Sequence, residues 1–160
     1  MNFTTFPRIA QVPASWSILA AVAVGMACSP SGSSTPPPTN PAATVFSFLS
    51  AVREQDMSQM ARLWGSSAGL ASDRMDLQTL QQRLTVIRVY LEHEEYAVVP
   101  RPNDAGLIET ESSERVVYVR LTRKGCAPVV PFTLSPYGGG WLIRNIDLSA
   151  AGNPARRCQP

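Results

Sequence analysis

The feature that most limits what this 160-residue chain can fold into is a break in composition near residue 40. Residues 18–27 are continuously apolar, and residues 29–40 are almost entirely Ser, Thr, Pro, Gly and Asn. The apolar run is too short to span a bilayer, which takes about 20 residues, and the polar run cannot bury enough apolar surface to become ordered. About 120 residues therefore remain to build a core, which is the size of one domain.

Residues 1–27 have the layout of an export signal, with Arg8 as the basic start and small residues at the cut site. The junction from Val24 to Cys28 resembles the lipoprotein box of bacterial lipoproteins, in which the cysteine thiol receives a diacylglyceryl group before cleavage. The resemblance implies that Cys28 anchors the chain in a membrane. Residues 28–40 are then a disordered tether that holds the domain away from the bilayer.

The residue after Cys28 indicates which membrane would hold the anchor. Ser29 stands where an aspartate favours retention in the inner membrane of related lipoproteins, so the resemblance implies the periplasmic face of the outer membrane. An ordinary signal peptidase would also accept Gly25 and Ala27. A secreted protein with a free Cys28 is therefore the alternative.

The chain holds three cysteines, an odd number. If Cys28 carries lipid, Cys126 and Cys158 remain as an even pair in an oxidising compartment, where a disulfide persists. Such a loop contributes about 3–4 kcal/mol in the chain-entropy treatment. Two unpaired buried thiols are the alternative. No metal or other cofactor is expected, because there is no C-x-x-C motif and His93 is the sole histidine.

The formal net charge of +2 is too small to recruit nucleic acid, so no such partner is expected. The partners that remain are the membrane, through Cys28, and an unknown envelope protein or a small apolar ligand.

Three helices are predicted in the first half of the domain. The first helix has Asn40 as its cap and Pro41 as its first residue. The second is a short helix that starts at a sequence resembling a capping box, Asp56 to Gln59, and ends at Gly65. The third lies within residues 75–92, which lack Gly and Pro. A polar loop is predicted from Gly65 to about Arg74. Apolar side chains recur at helical spacing in the three segments: Val45, Phe48, Leu49 and Val52; Met60, Leu63 and Trp64; Leu77, Leu80, Leu84, Ile87 and Leu91.

The second half favours strands. They are predicted at 96–99, 107–110, 115–123, 129–134 and 141–148, with a hairpin-type turn over 135–140. Helices followed by a meandering sheet indicate an α+β fold, in which N-terminal helices pack on a curved antiparallel sheet of about four to five strands. The predicted domain covers residues 41–149, and residues 150–160 form an irregular tail.

The order of elements over residues 42–149 is similar to the nuclear-transport-factor-type cone fold, shared with ketosteroid isomerases and cystatin-like domains. The local cues are Phe48 to Ala51, Gln55 to Met57, and Leu63 with Trp64, and Gln55 replaces the glycine usual in that family. The resemblance implies a cavity between the long helix and the concave sheet. It also implies a homodimer formed through the sheet.

Trp64, Tyr90, Tyr118 and Arg144 are the candidates for lining that cavity. Strand alternation places Tyr118 with Arg120, and Arg144 with Leu142 and Ile146. Ordinary core packing, with Arg144 in solvent, is the alternative.

No catalytic residue is predicted. The stretch from Gly65 to Gly69 matches G-x-S-x-G but follows a helix, whereas a nucleophile elbow follows a strand. His93 is expected at a solvated helix end. The charged side chains Glu109, Glu111, Glu114, Arg115, Arg120 and Arg123 are expected on a solvated sheet face. A non-catalytic binding domain is thus the favoured function; an anchored isomerase-like or hydrolase-like enzyme and a structural assembly factor are the alternatives.

Overall fold

The computed structural model describes residues 36–102, 113–123 and 125–155. The elements in chain order are α1 (Pro41–Glu54), α2 (Met57–Leu63), β1 (Gly65–Ser66), β2 (Gly69–Leu70), a short 3-10 helix (Ala71–Asp73), α3 (Leu77–Tyr90), β3 (Glu95–Val99), β4 (Arg115–Thr122), β5 (Val129–Tyr137), β6 (Gly140–Ile146) and α4 (Leu148–Ala151). Strands β3 to β6 form an antiparallel sheet in sequential order, and β1 pairs with β2. The predicted α+β class is confirmed.

Side-chain caps fix where the helices begin. The Asn40 carboxamide oxygen accepts from the Ala42 amide, and the Asp56 carboxylate accepts from the Gln59 amide at 2.8 Å, as predicted. Asp76 caps α3 through the Thr79 amide at 2.9 Å, and the hydrogen bonds from Thr79 lower the pKa of the Asp76 carboxyl. Each cap satisfies a backbone N–H that the helix itself leaves without a partner.

The core lies between the helices and one face of the sheet. The helical stripes supply its first layer, and alternate residues of the strands supply the second, which contains Val119, Leu121, Val130, Phe132, Leu134, Ile143 and Ile146. Leu77 was predicted to belong to this stripe, but it is 69% exposed. It is the first residue of α3. The buried stripe of α3 begins instead at Leu80. Burying a side chain of this size stabilises the fold by about 1.5–3 kcal/mol.

The β5–β6 hairpin is tighter than predicted. Gly138 and Gly139 have φ values of 58° and 80°, which form a two-residue turn matched to the twist of the strands. Because this turn uses only two residues, β5 continues to Tyr137 and β6 starts at Gly140. The predicted six-residue turn over 135–140 is therefore wrong.

A β-bulge in β6 breaks the alternation on which one prediction depended. Leu134 pairs with Ile143 while its neighbour Thr133 pairs with Asn145, so Arg144 is an extra residue opposite no partner. Ile143 and Ile146 both join the core, whereas Arg144 is exposed. The prediction that Arg144 shares a face with Leu142 and Ile146 is wrong for this reason.

The carboxyl end of the sheet also differs from the prediction. Strand β6 ends at Ile146, because the Asp147 carboxylate accepts from the amides of Ser149 and Ala150 and so starts α4. The segment predicted as a polar loop before Arg74 contains the β1–β2 hairpin and the 3-10 helix. The predicted strand at 107–110 lies outside the described residues.

The last residues of the predicted tether contact the domain. The Trp141 amide donates to the Pro38 carbonyl oxygen at 3.0 Å, and the Thr44 hydroxyl donates to the Trp141 carbonyl oxygen at 3.3 Å. A Cβ atom at Gly140 would lie 2.7 Å from the Pro37 carbonyl carbon, so glycine permits this close approach. All the described residues belong to one compact unit, Ser34–Pro160.

The part of the chain that the structure describes contains no helix with the length and apolar character needed to cross a bilayer.

Gln55 occupies a strained backbone position at the end of α1. Its φ of 59° and ψ of 25° are left-handed, and this is where the cone-fold resemblance expects glycine. A side chain in this conformation costs about 1–2 kcal/mol. Glycine removes this cost, but the greater freedom of glycine in the unfolded chain offsets about 0.4–1 kcal/mol of the gain. We expect Gln55→Gly to raise the free energy of unfolding by about 1 kcal/mol, measured by urea denaturation. Gln55→Ala retains the strain and should not be stabilised; a loss of stability in Gln55→Gly would contradict the argument.

Candidate functional site

An apolar groove opens between α3 and the carboxyl end of β6, and we call it the α3–β6 groove. Its volume is about 380 Å³. Its apolar wall is formed by Trp64, Val86, Ile87, Ile146 and Leu148. Three polar side chains, Gln82, Arg83 and Asn145, complete the lining. A mainly apolar concavity with a few polar groups is typical of small-molecule sites.

Helical spacing explains the α3 wall. Gln82 and Val86 are four residues apart, as are Arg83 and Ile87, so each pair is stacked along one side of the helix. The polar pair lies one turn nearer the N-terminus than the apolar pair. The α3 wall of the groove therefore changes from polar to apolar along the helix axis.

The opposite wall depends on the end of β6 and on the α4 cap. Asn145 and Ile146 are the last residues of β6, and Leu148 is the first residue of α4. Between them, the Asp147 carboxylate accepts from the Ser149 amide at 3.0 Å and from the Ser149 hydroxyl. The hydrogen bond from the Ser149 side chain lowers the pKa of Asp147. Asp147 thus acts as a helix cap, and it does not line the groove.

Trp64 connects the groove to the core. It follows α2, forms a parallel bridge with Ile143 of β6, and its ring centroid lies 6.2 Å from that of Phe48. The side chain is half-buried and also lines the groove. Sequence reasoning named Trp64 for the cavity wall, and the structure places it in the wall of this groove.

The other three predicted lining residues lie elsewhere. None of them lines the α3–β6 groove or the second cavity, which is described below. Tyr90 ends α3, and its carbonyl oxygen accepts from Arg123. Tyr118 is half-buried in β4, paired with Val99 and Pro131. Arg144 is on the exposed side of the bulge, where its guanidinium lies 2.6 Å from the Glu114 carboxylate.

The position of the groove has a packing cause. The space between α3 and the sheet, where the cavity was predicted, contains the side chains of Leu80, Leu84, Phe132 and Leu134, each at most 2% exposed. The groove therefore lies at the margin of the sheet, beside the edge strand β6, and apolar residues late in β6 were the signal that could have indicated it.

A second cavity of about 280 Å³ lies where the ends of α1 and α3 meet. Its lining includes Arg53, Gln55, Arg88, Glu92 and His93. Arg53 and Arg88 stand in the last turns of their helices, where a cation favours the negative helix end. Two arginines and one glutamate share this lining, so its charges are of both signs.

His93 is buried, with 8% of its surface exposed, so the prediction of a solvated histidine is wrong. The chain turns here from α3 into β3, and Nδ1 donates to the Leu91 carbonyl oxygen at 2.7 Å. The ring also packs edge-on against Tyr96, with centroids 5.2 Å apart. Nε2 has no hydrogen-bond partner among the described residues and is excluded from solvent. It is therefore not presented to any ligand in the cavity.

Arg123 is also buried, at 8% exposure, which corrects its predicted place on a solvated face. Its guanidinium donates to the carbonyl oxygens of Tyr90, at 2.5 Å, and of Ala151. Alternation could have indicated this, because Val119 and Leu121 lie on the core side of β4 and Arg123 continues the same alternation just beyond the strand. Arg123 thereby joins the ends of α3 and α4 to the sheet.

Cys126 lies in the turn that follows β4 and exchanges two backbone hydrogen bonds with Arg123, at 2.9 and 2.8 Å. Since Arg123 also contacts Ala151, the start of the C-terminal tail is held near the same turn. Cys28 and Cys158 lie outside the described residues. The lipid at Cys28 and the Cys126–Cys158 disulfide accordingly stay predictions.

The described residues form neither a metal site nor a nucleophile elbow. Across the ranges 36–102, 113–123 and 125–155, no three His, Cys, Asp or Glu side chains are placed to hold one metal ion. The G-x-S-x-G stretch forms the β1–β2 hairpin, in which Ser66 pairs with Gly69, and the Ser66 hydroxyl accepts from the Ala68 amide at 3.3 Å. This hairpin lacks the strand-to-helix turn of a nucleophile elbow.

Comparisons of the chain with protein families, with curated proteins and with solved structures found no match.

Proposed function

We propose that this protein is a membrane-anchored lipoprotein of the cell envelope whose domain binds a small apolar ligand without catalysing a reaction. The observation that carries the binding function is the α3–β6 groove. Its five apolar side chains offer area to a ligand, and its three polar side chains can orient it. Its volume of about 380 Å³ falls within the range of about 300–1,000 Å³ for ligand sites.

The chemistry of the lining favours binding over catalysis. An acid–base enzyme needs a carboxylate, an imidazole or a similar group within hydrogen-bond reach of the substrate. The described residues contribute no Asp, Glu or His to the groove lining, and the nearest carboxylate in sequence, Asp147, is bonded to the start of α4. The groove can hold and orient a molecule, but it offers no proton acceptor.

The anchor is proposed from the sequence. Cys28 follows an apolar run and small residues, and a polar, proline-rich stretch leads from it to the domain. A lipoprotein cysteine carries several acyl chains, which give stable attachment where a single chain gives only marginal binding. The absence of aspartate after Cys28 supports the outer membrane as the site of attachment.

The binding function is tested with the neutral fluorophore N-phenyl-1-naphthylamine and a soluble chain of residues 34–160, which contains the whole described core. We expect saturable fluorescence enhancement. Val86→Glu, in the groove wall, should weaken binding about tenfold, because a carboxylate would then be desolvated by the probe. Val116→Glu is the matched control, since Val86 is 50% exposed and Val116 is 48% exposed but lies on β4.

Equal binding by these two variants, or enhancement that never saturates, would contradict binding in the groove. The anchor is tested separately by feeding labelled palmitate to bacteria that express the full chain. Label should enter the wild-type protein and be absent from Cys28→Ala. Equal labelling of the two chains would contradict the lipid anchor.

A further inference from the structure

We infer that the ligand of the α3–β6 groove is a single-chain amphiphile with an anionic head, such as a free carboxylate, and that Arg83 binds this head. The inference rests on the proposed function and adds the chemical class of the ligand. It depends on the sign of the charge in the groove, on the order of polar and apolar residues along α3, and on the size of the cavity.

The charge in the groove is positive. Arg83 is the one charged side chain that the described residues contribute to the lining, and Gln82 and Asn145 are neutral amides. The ion pair found among the described residues joins Arg144 to Glu114, so Arg83 has no carboxylate of the domain within ion-pair distance there. A guanidinium presents parallel N–H donors that match the two oxygens of a carboxylate. The groove therefore complements an anion and repels a cation.

The order of residues along α3 matches the two ends of an amphiphile. Gln82 and Arg83 form the polar end, and Val86 and Ile87 lie one helical turn further along, about 5 to 6 Å away. A head group bound by Arg83 would direct its chain over Val86 and Ile87. Ile146 and Leu148, on the opposite wall, would cover the other side of that chain.

The size of the groove favours one chain over two. Its volume of about 380 Å³ is near the lower end of the range for ligand sites. A diacyl lipid needs a longer and wider cavity. We therefore take the occupant to be a monomeric amphiphile that has left a membrane or a micelle, and not the membrane surface itself.

The test compares three probes of equal chain length, below their aggregation concentrations, by isothermal titration calorimetry of the 34–160 chain. The probes are decanoate, decanol and decyltrimethylammonium. We expect decanoate to bind at least tenfold more tightly than decyltrimethylammonium, with decanol between them. Arg83→Glu should reverse this order, because the charge in the groove changes sign. Arg88→Glu makes the same charge change on the same helix but outside the groove, and should keep the wild-type order.

An unchanged preference in Arg83→Glu, or equal affinity of the wild-type protein for the three probes, would overturn the inference and leave the proposed function standing. Failure of the wild-type protein to bind any probe, together with failure of N-phenyl-1-naphthylamine to bind, would overturn both. Circular dichroism of each variant checks that it is folded, and Arg83→Gln, which should abolish the preference for decanoate, replaces Arg83→Glu if that variant is not.

Discussion

Replacing Arg123 by methionine is expected to lower the free energy of unfolding by about 3 kcal/mol, the largest effect of any single change considered for this domain. The guanidinium donates to the carbonyl oxygens of Tyr90 and Ala151, and it is 8% exposed. Methionine fills much of the same volume but has no donor. The buried Ala151 carbonyl oxygen and the partly buried Tyr90 carbonyl oxygen would lose a charged partner, at about 1–3 kcal/mol for each.

The measurement is urea denaturation of the 34–160 chain, with the midpoint and the slope fitted separately. Arg120→Met, three residues earlier on β4, is the matched control: Arg120 is exposed, so its replacement should change stability by less than about 0.5 kcal/mol. Arg123→Lys should fall between the two, because an ammonium keeps the charge but not the planar fork. Equal losses of unfolding free energy in Arg120→Met and Arg123→Met would show that the hydrogen bonds of Arg123 contribute nothing to stability.

Gly140→Ala is expected to destabilise the domain by about 2 kcal/mol, because it overpacks a tight contact between two backbone segments. The added Cβ would lie 2.7 Å from the Pro37 carbonyl carbon and 2.8 Å from the Pro38 carbonyl oxygen. Backbone atoms cannot rotate away as the end of a long side chain can. Either the hydrogen bond from the Trp141 amide to Pro38 is lost or β6 shifts.

A double-mutant cycle isolates this contact. The second change is removal of the chain before Thr39, which takes away Pro37 and Pro38. In the shortened chain, Gly140→Ala should cost less than about 0.5 kcal/mol, because the clash no longer exists. If alanine at 140 is equally costly with and without the proline segment, the loss arises within the hairpin and the contact with the tether is unimportant.

Local patterns in the sequence predicted much of the architecture. Caps at Asn40 and Asp56 are determined by residues two or three positions away, and helical periodicity depends only on which side chains are apolar. Both kinds of signal are short-range. The α1 and α2 starts, the buried stripe of α3 from Leu80 onward and the α+β class followed from them and are confirmed.

The remaining features depend on interactions between distant parts of the chain. The bulge at Arg144 is created by how β5 and β6 pair, and no residue near it signals an extra position. His93 is buried because Tyr96 and the Leu91 carbonyl oxygen surround it after the chain turns. The groove is formed between α3 and the end of β6, which are far apart in the sequence. Trp64 was predicted to line a cavity and does line the groove, whereas strand alternation assigned Arg144 to the wrong face of β6.

Strand β6 separates the place where the chain arrives from the place where a ligand would enter. Pro38 meets Trp141 at the start of the strand, and Asn145 and Ile146 border the groove at its end. At about 3.3 Å per residue, the two ends of this strand are about 15–20 Å apart. The groove is thus remote from the point where Pro37 and Pro38 meet the domain, so a ligand of the proposed kind would occupy it without displacing that contact.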